Sequence, residues 1–236
     1  MTKITFLGTG SARVTDRYNT CFIVEQEDHS LLVDCGGGHE ILRQFKENDI
    51  NIEKIDAIFI SHSHADHLLG FPFLFREMIL SKKKMKILCS QQVRKIVQEL
   101  VAFDLGEKAK AHLHLLLFQE IDIEQKYLHY EFFPVEERQY GFILHANQKI
   151  SFTGDCPVTV HTINRIKRCD MLIQEAFCSE SGKIKMTGHH STIEEAIKIF
   201  RKVKAKKMII IHSMEELQQF SSDRIKIAQD GEVIWY

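Results

Sequence analysis

The sequence predicts an α/β fold, two β-sheets packed together with helices outside them, and three observations carry that reading. Short apolar runs bounded by polar and Gly-containing turns open the chain. Segments with apolar residues at helical spacing follow them. The same order, strands and then helices, recurs in the second half, and layered sheets and helices are how such a pattern buries its apolar faces.

Taken in order, "KITFLG", "TCFIVEQ" and "SLLVDCGGG" read as strands of a first sheet. "HEILRQFKENDI" places Ile41, Leu42 and Phe45 on one helical face, and "IDAIFI" is a continuous apolar run, as in a strand buried on both faces. A helix is expected over roughly 68–80, then a strand "MKILCS" and a helix "QQVRKIVQELVAF", with Val93, Ile96, Val97, Leu100 and Val101 on one face. Region 104–126 carries no clear period. Strands return in "YLHYEFFPV", "YGFILHA" and "KISFTGD", and a closing series runs "CDMLIQEA", the helix "STIEEAIKIFRKVKA", the strand "KKMIIIHS", and strands near "RIKIAQDG" and "EVIWY". With no repeat or Pro-rich linker, the expectation is a single domain over residues 1–236.

Composition narrows the class. The chain has 236 residues, 44% hydrophobic and 27% charged, with a net charge of −1. This is ordinary for a soluble globular protein and argues against binding nucleic acid mainly by neutralising phosphates. Six cysteines without CxxC spacing read as reduced, buried thiols, and with no long apolar segment the expected location is the cytoplasm.

The stretch "SHSHADHLLG" follows "IDAIFI" directly and places His62, His64, Asp66 and His67 within six positions. His62 and His64, two apart, cannot share a helix face, so a loop suits the cluster. Imidazoles with a carboxylate at a strand end match the donor preferences of zinc. A complete centre needs further ligands, and Asp155 in "ISFTGDC" and His212 in "MIIIHS" stand in the same position, just after an apolar run.

In order along the chain, "FLGTGS", "LLVDCGGG", "SHSHADH", "FTGDC" and "IIIHS" resemble the metallo-β-lactamase superfamily over almost the whole length. The resemblance implies a four-layer αββα sandwich with two divalent metal ions, zinc before manganese or iron. It makes His62 and His64 ligands of the first ion, Asp66, His67 and His212 ligands of the second, and Asp155 the bridge. Asp34 resembles the buried aspartate that orients the ligand loop. One position departs from the pattern: "FFPVEERQYGF" lacks the family's third histidine. Glu136 or Glu137 stands there, with Glu137 preferred, which implies an altered metal preference or a weak or empty first site. His112, His114 and His129 are the distant alternatives, with surface or strand histidines as their plainer reading.

"DMLIQEAF" with Glu175 and "GHHSTIEEA" with His190-Ser191-Thr192 resemble the phosphodiesterase branch that includes ribonuclease Z and small cyclic phosphodiesterases. That likeness implies that His190 contacts phosphate or protonates the leaving oxygen, that Glu175 orients it, and that Asp66 steers the attacking water. Independently of the likeness, Ser191 or Thr192 followed by Glu194 or Glu195 is a capping box, at a helix start that favours phosphate. The expected activity is metal-dependent hydrolysis of small or nucleotide-like phosphodiesters by a metal-bound hydroxide. RNA is a second substrate class, disfavoured because only a short segment separates "PVEERQ" from "FTGDC", with no tRNA-gripping insertion. An acyl hydrolase and a non-catalytic metal-binding relative are the other readings. No membrane partner is expected, and a homodimer is compatible with the sequence.

Overall fold

Among the residues that the computed structural model describes, 1–122, 125–136, 138–181, 190–214 and 217–236, the strands pair into two seven-stranded sheets. The sheets lie in two units, one made of Met1–Gly8, Asp16–Asp122 and Gln229–Tyr236, the other of Thr9–Thr15 and Ile123–Ala228.

In the first unit the strands are β1 (Thr2–Gly8), β2 (Cys21–Gln26), β3 (His29–Val33), β4 (Ala57–Phe59), β5 (Met85–Cys89), β6 (Leu116–Glu120) and the terminal β14 (Glu232–Trp235), in the order β14-β1-β2-β3-β4-β5-β6. Pairing is antiparallel from β14 to β3 and parallel from β3 to β6. The helices are α1 (Glu40–Glu47), α2 (Ala65–Leu68), α3 (Phe71–Ser81), α4 (Gln91–Leu105) and α5 (Ala109–His112). Ile41, Phe45, Leu74, Met78, Val93, Val97 and Val101 from these helices share one core with Leu7, Ile23, Leu32, Ile58 and Ile87 from the sheet. The apolar periodicity of "QQVRKIVQELVAF" is therefore the face that α4 buries, at roughly 1.5–3 kcal/mol per fully buried side chain.

The second unit repeats the scheme. Its strands are β7 (Gln125–Tyr127), β8 (Tyr130–Glu136), β9 (Gln139–His145), β10 (Lys149–Phe152), β11 (Met171–Glu175), β12 (Lys207–Ile211) and β13 (Ile225–Ile227). They are antiparallel from β7 to β10 and parallel from β10 to β13. Helices α6 (Val160–Arg165) and α7 (Ile193–Val203) set Ile193, Ala196, Phe200 and Val203 in a core with Leu172, Met208 and Ile210. The capping box that begins α7 is formed by Thr192 and Glu195. Thr192→Ala, which removes the acceptor for the Glu195 N–H, is expected to lower stability by about 1 kcal/mol, seen as a lower urea midpoint with an unchanged slope.

Four local expectations change. The helix expected over roughly 68–80 is α3 and starts three residues later, with Gly70 as its N-cap, at a point where a Cβ would collide with Cys35 O. Residues 65–68, expected as loop, form the single turn α2. "YLHYEFFPV" is not one strand but a hairpin, with Leu128 at φ +53 between β7 and β8. Helix α6, absent from the sequence reading, starts where the Thr159 side chain accepts from Thr162 N. All six cysteines are buried free thiols, and no described helix is long and apolar enough to cross a membrane.

Candidate metal centre

The chemistry-bearing side chains sit at the carboxyl ends of parallel strands, where open α/β sheets place their ligand sites. In the first unit β3 ends at Val33 and Asp34 follows with φ +58. That left-handed conformation costs a non-glycine residue on the order of 1–3 kcal/mol, and the surroundings hold it firmly. Asp34 N donates to Phe59 O at 2.8 Å, and the fully buried carboxylate accepts from Ser61 N, Ser61 Oγ and His67 Nδ1, each at 2.8 Å.

The neighbouring strand β4 ends one residue before Ile60, so Ser61 and His62 leave the sheet beside Asp34. Ser61 Oγ lies 2.9 Å from His62 Nδ1. The chain then turns at His64, the N-cap of α2, and α2 carries Asp66 and His67. Cys35 N donates to His67 O at 2.8 Å and Gly70 N to Gly36 O at 2.9 Å, which ties α2 to the glycine-rich loop. The His62 ring lies 4.5 Å from that of His64 and 4.2 Å from that of His67, and Asp66 Oδ2 lies 3.6 Å from His67 Nε2. His62, Asp66 and His67 are buried; His64 is exposed. Three imidazoles and a carboxylate are thus brought together within this unit.

The second unit assembles its own group. Asp155 follows β10 through Gly154, at φ +72, Glu175 ends β11, and His212 follows β12 at φ +57. One ligand atom from each of Asp155, Glu175, His190 and His212 lies within 4.8 Å of all the others. His212 Nδ1 is 2.7 Å and His190 Nδ1 3.2 Å from Asp155 Oδ1. Glu175 Oε2 pairs with His190 Nδ1 at 2.8 Å, while its Oε1 accepts from Ser191 N at 2.7 Å. Phe177 stacks on the His190 ring at 4.7 Å and 11°, so one face and one nitrogen of that imidazole are fixed and Nε2 turns away from the carboxylates. Two buried carboxylates with two imidazoles suit a divalent cation by charge and donor type; so does the donor set of the first unit.

Burial, and then the Asp155 charge, push the Glu175 carboxyl above the usual glutamate range against the opposite pull of the His190 and His212 hydrogen bonds. For His190, burial acts to lower the pKa, but hydrogen bonds and charges from Asp155 and Glu175 outweigh it and raise the value to about 9. In metal-free protein a raised histidine contributes stability that is complete below its unfolded pKa of roughly 6.5 and is lost as pH rises through the folded value. Unfolding of chelated protein is therefore expected to become easier between about pH 6.5 and pH 9. A His190→Gln variant is expected to lose that dependence, and equal pH slopes for the two proteins would contradict the assignment.

Of the sequence candidates, His62, His64, Asp66 and His67 stand together in one unit, and Asp155, Glu175, His190 and His212 in the other. Glu137 lies outside the described residues; Glu136 ends β8 as an exposed side chain. His112 and His114 sit on helical turns, with His114 Nδ1 2.9 Å from Ala111 O. Neither they nor His129 joins a donor cluster among the described residues. The α7 start offers less to a phosphate than expected. The N–H groups of Ser191, Thr192, Ile193 and Glu195 donate to Glu175, Glu195, Cys178 and Thr192. Sequence reasoning missed Ser61 and Phe177; a hydroxyl just before the first histidine was the only signal for the former.

The chain is similar to known proteins over nearly its whole length. A family model described as "Anti-Pycsar protein Apyc1" matches residues 2–234. Ribonuclease Z of Metallosphaera sedula is 24% identical over 259 aligned positions, covering 90% of this chain and 88% of that protein. Among solved structures, human tRNase Z, short form, superposes with a TM-score of 0.80 at 21% identity, covering 99% of this chain and 98% of the other. The metallo-beta-lactamase fold protein YhfI of Bacillus subtilis does so with 0.79 at 20% identity, with 99% and 98% covered.

Proposed function

The chain belongs to the Anti-Pycsar protein Apyc1 family and has the metallo-β-lactamase fold, and from that premise we propose a metal-dependent phosphodiesterase acting on small or nucleotide-like phosphodiesters. The whole of residues 1–236 serves as one hydrolase domain in this reading. The observation that supports it best is the Asp155-Glu175-His190-His212 group, buried except for the partly exposed His190, which joins metal-type donors to a histidine held for proton transfer.

The residues that would hold divalent ions in this reading are His62, His64, Asp66 and His67 of the first unit and Asp155 and His212 of the second. Glu137 takes the place of the missing third histidine. The ions, zinc before manganese or iron, supply an acidified water and charge stabilisation on the phosphoryl oxygens when bound. With the ions bound, Asp66 would steer the attacking water and accept its proton. His190, held at Nδ1 by Glu175, gives a proton from Nε2 to the oxygen that leaves. Phosphodiester and water become a phosphomonoester and an alcohol. RNA is the less favoured substrate because the sequence lacks a gripping insertion, and the cytoplasm is the proposed location.

The test is metal quantification of protein purified without chelator, with hydrolysis assayed on a bis-aryl phosphodiester, a 3′,5′-cyclic nucleotide, a precursor tRNA, a thioester and a lactone. Bound metal with turnover of the first two supports the reading. Less than one equivalent of metal, with no hydrolysis after adding zinc, manganese or iron, ends it. Turnover of the acyl substrates alone replaces it with an acyl hydrolase.

A further inference from the structure

We infer that Ser61 is a positioning residue that locks the tautomer of His62, so that one carboxylate, Asp34, prepares two histidines of the first unit to ligate through Nε2. The inference rests on His62 being a metal ligand and deepens that assignment.

The argument is a count of protons. Asp34 Oδ2 and Ser61 Oγ are 2.8 Å apart, a distance at which a hydroxyl and a carboxylate need a proton between them. A carboxylate accepts only, and a serine hydroxyl has a single hydrogen. Asp34 already accepts from Ser61 N and His67 Nδ1 at 2.8 Å, so it is surrounded by donors. The Ser61 hydrogen is therefore committed to Asp34. Toward His62 Nδ1, 2.9 Å away, Ser61 Oγ is left as an acceptor. His62 Nδ1 must carry the proton, and the lone pair of the ring sits on Nε2.

His67 reaches the same state directly, because its Nδ1 faces Asp34 Oδ2 and has to donate to it. Fixing the distal nitrogen of a ligating histidine sets its tautomer and ring orientation. What Asp34 does for His67 in one step it does for His62 in two, through a hydroxyl. Ser61 and Asp34 are fully buried and His62 is 2% exposed. Bulk water therefore does not compete for these hydrogen bonds. Ser61 N, also bound to Asp34, holds the hydroxyl in register with the carboxylate.

The experiment uses the full chain loaded with zinc. In the wild-type protein, long-range ¹H–¹⁵N spectra are expected to show His62 protonated at Nδ1, and a proton on Nε2 instead would overturn the inference without any variant. Ser61→Ala is expected to weaken zinc retention, measured against a competing chelator, by about 10-fold or more. It is also expected to make the His62 Nδ1 proton exchange with water. Ser61→Thr, which keeps the hydroxyl, should restore both. Circular dichroism of each variant reports folding, and zinc affinity and Nδ1 exchange left unchanged in folded Ser61→Ala would refute the lock. His62→Ala separates the two levels. If it leaves zinc affinity unchanged, the ligand assignment itself fails; if it weakens zinc while Ser61→Ala does not, only the role of Ser61 fails.

Discussion

His190→Ala is expected to lower hydrolysis of an alkyl phosphodiester by about 10²- to 10⁴-fold, the usual worth of a positioned general acid. Hydrolysis of a bis-nitrophenyl ester should fall far less. The contrast follows from the leaving group: a nitrophenolate departs without a proton, whereas an alkoxide needs one. The geometry behind the expectation is the Glu175 Oε2 contact at 2.8 Å on Nδ1 with Phe177 stacked on the ring, which leaves Nε2 directed away from the carboxylates. Measuring kcat/KM for a series of leaving groups gives the answer as a slope. A uniform loss across the series would mean that His190 binds the substrate or holds the site in shape and donates no proton.

Asp155→Ala is expected to cost more than any other substitution considered. Asp155 Oδ1 is 2.7 Å from His212 Nδ1 and 3.2 Å from His190 Nδ1, so its removal breaks the centre of the second unit's donor group. The loss of activity should exceed the roughly 10- to 100-fold that follows from losing an outer partner of a ligand. Metal content per chain should fall with it. Asp155→Asn keeps the volume and one acceptor oxygen while removing the charge, and is expected to fall between wild type and Asp155→Ala. Elemental analysis of the three proteins, purified in parallel, decides the matter; full metal content in Asp155→Ala would contradict its assignment as a ligand.

Much of the fold was legible because it depends on periodicity. The apolar faces of α4 and α7 and the continuous runs of β4 and β12 are patterns that burial imposes on any sequence of this class. The Thr192-Glu195 capping box was legible for the same reason, being local. The hairpin at Leu128 was not: a left-handed residue other than Gly or Asn, between Gln125–Tyr127 and Tyr130–Glu136, leaves no turn signal. Helix α6 escaped notice because a short helix carries too little apolar periodicity to stand out from loop.

The site divides along the same line. Donor types and strand-end positions of His62, His64, Asp66, His67, Asp155 and His212 were readable, since metal chemistry restricts which side chains serve, whereas Glu175 and His190 came from the resemblance of their motifs. The grouping of these residues within each unit, the stacking of Phe177 on His190 and the use of the α7 N–H groups inside the protein were not readable. Those follow from where the strands end in space.

By itself the sequence determined the class of fold and the candidate ligands at strand ends, because both depend on residue type and local spacing, while Asp34 entered through the resemblance of its motif. Only the tertiary structure decided that β14, the last strand, pairs with β1, the first, and that Asp34 reaches His67 directly and His62 through Ser61. Such contacts join residues distant in the chain, and only the folded geometry determines which donor meets which acceptor.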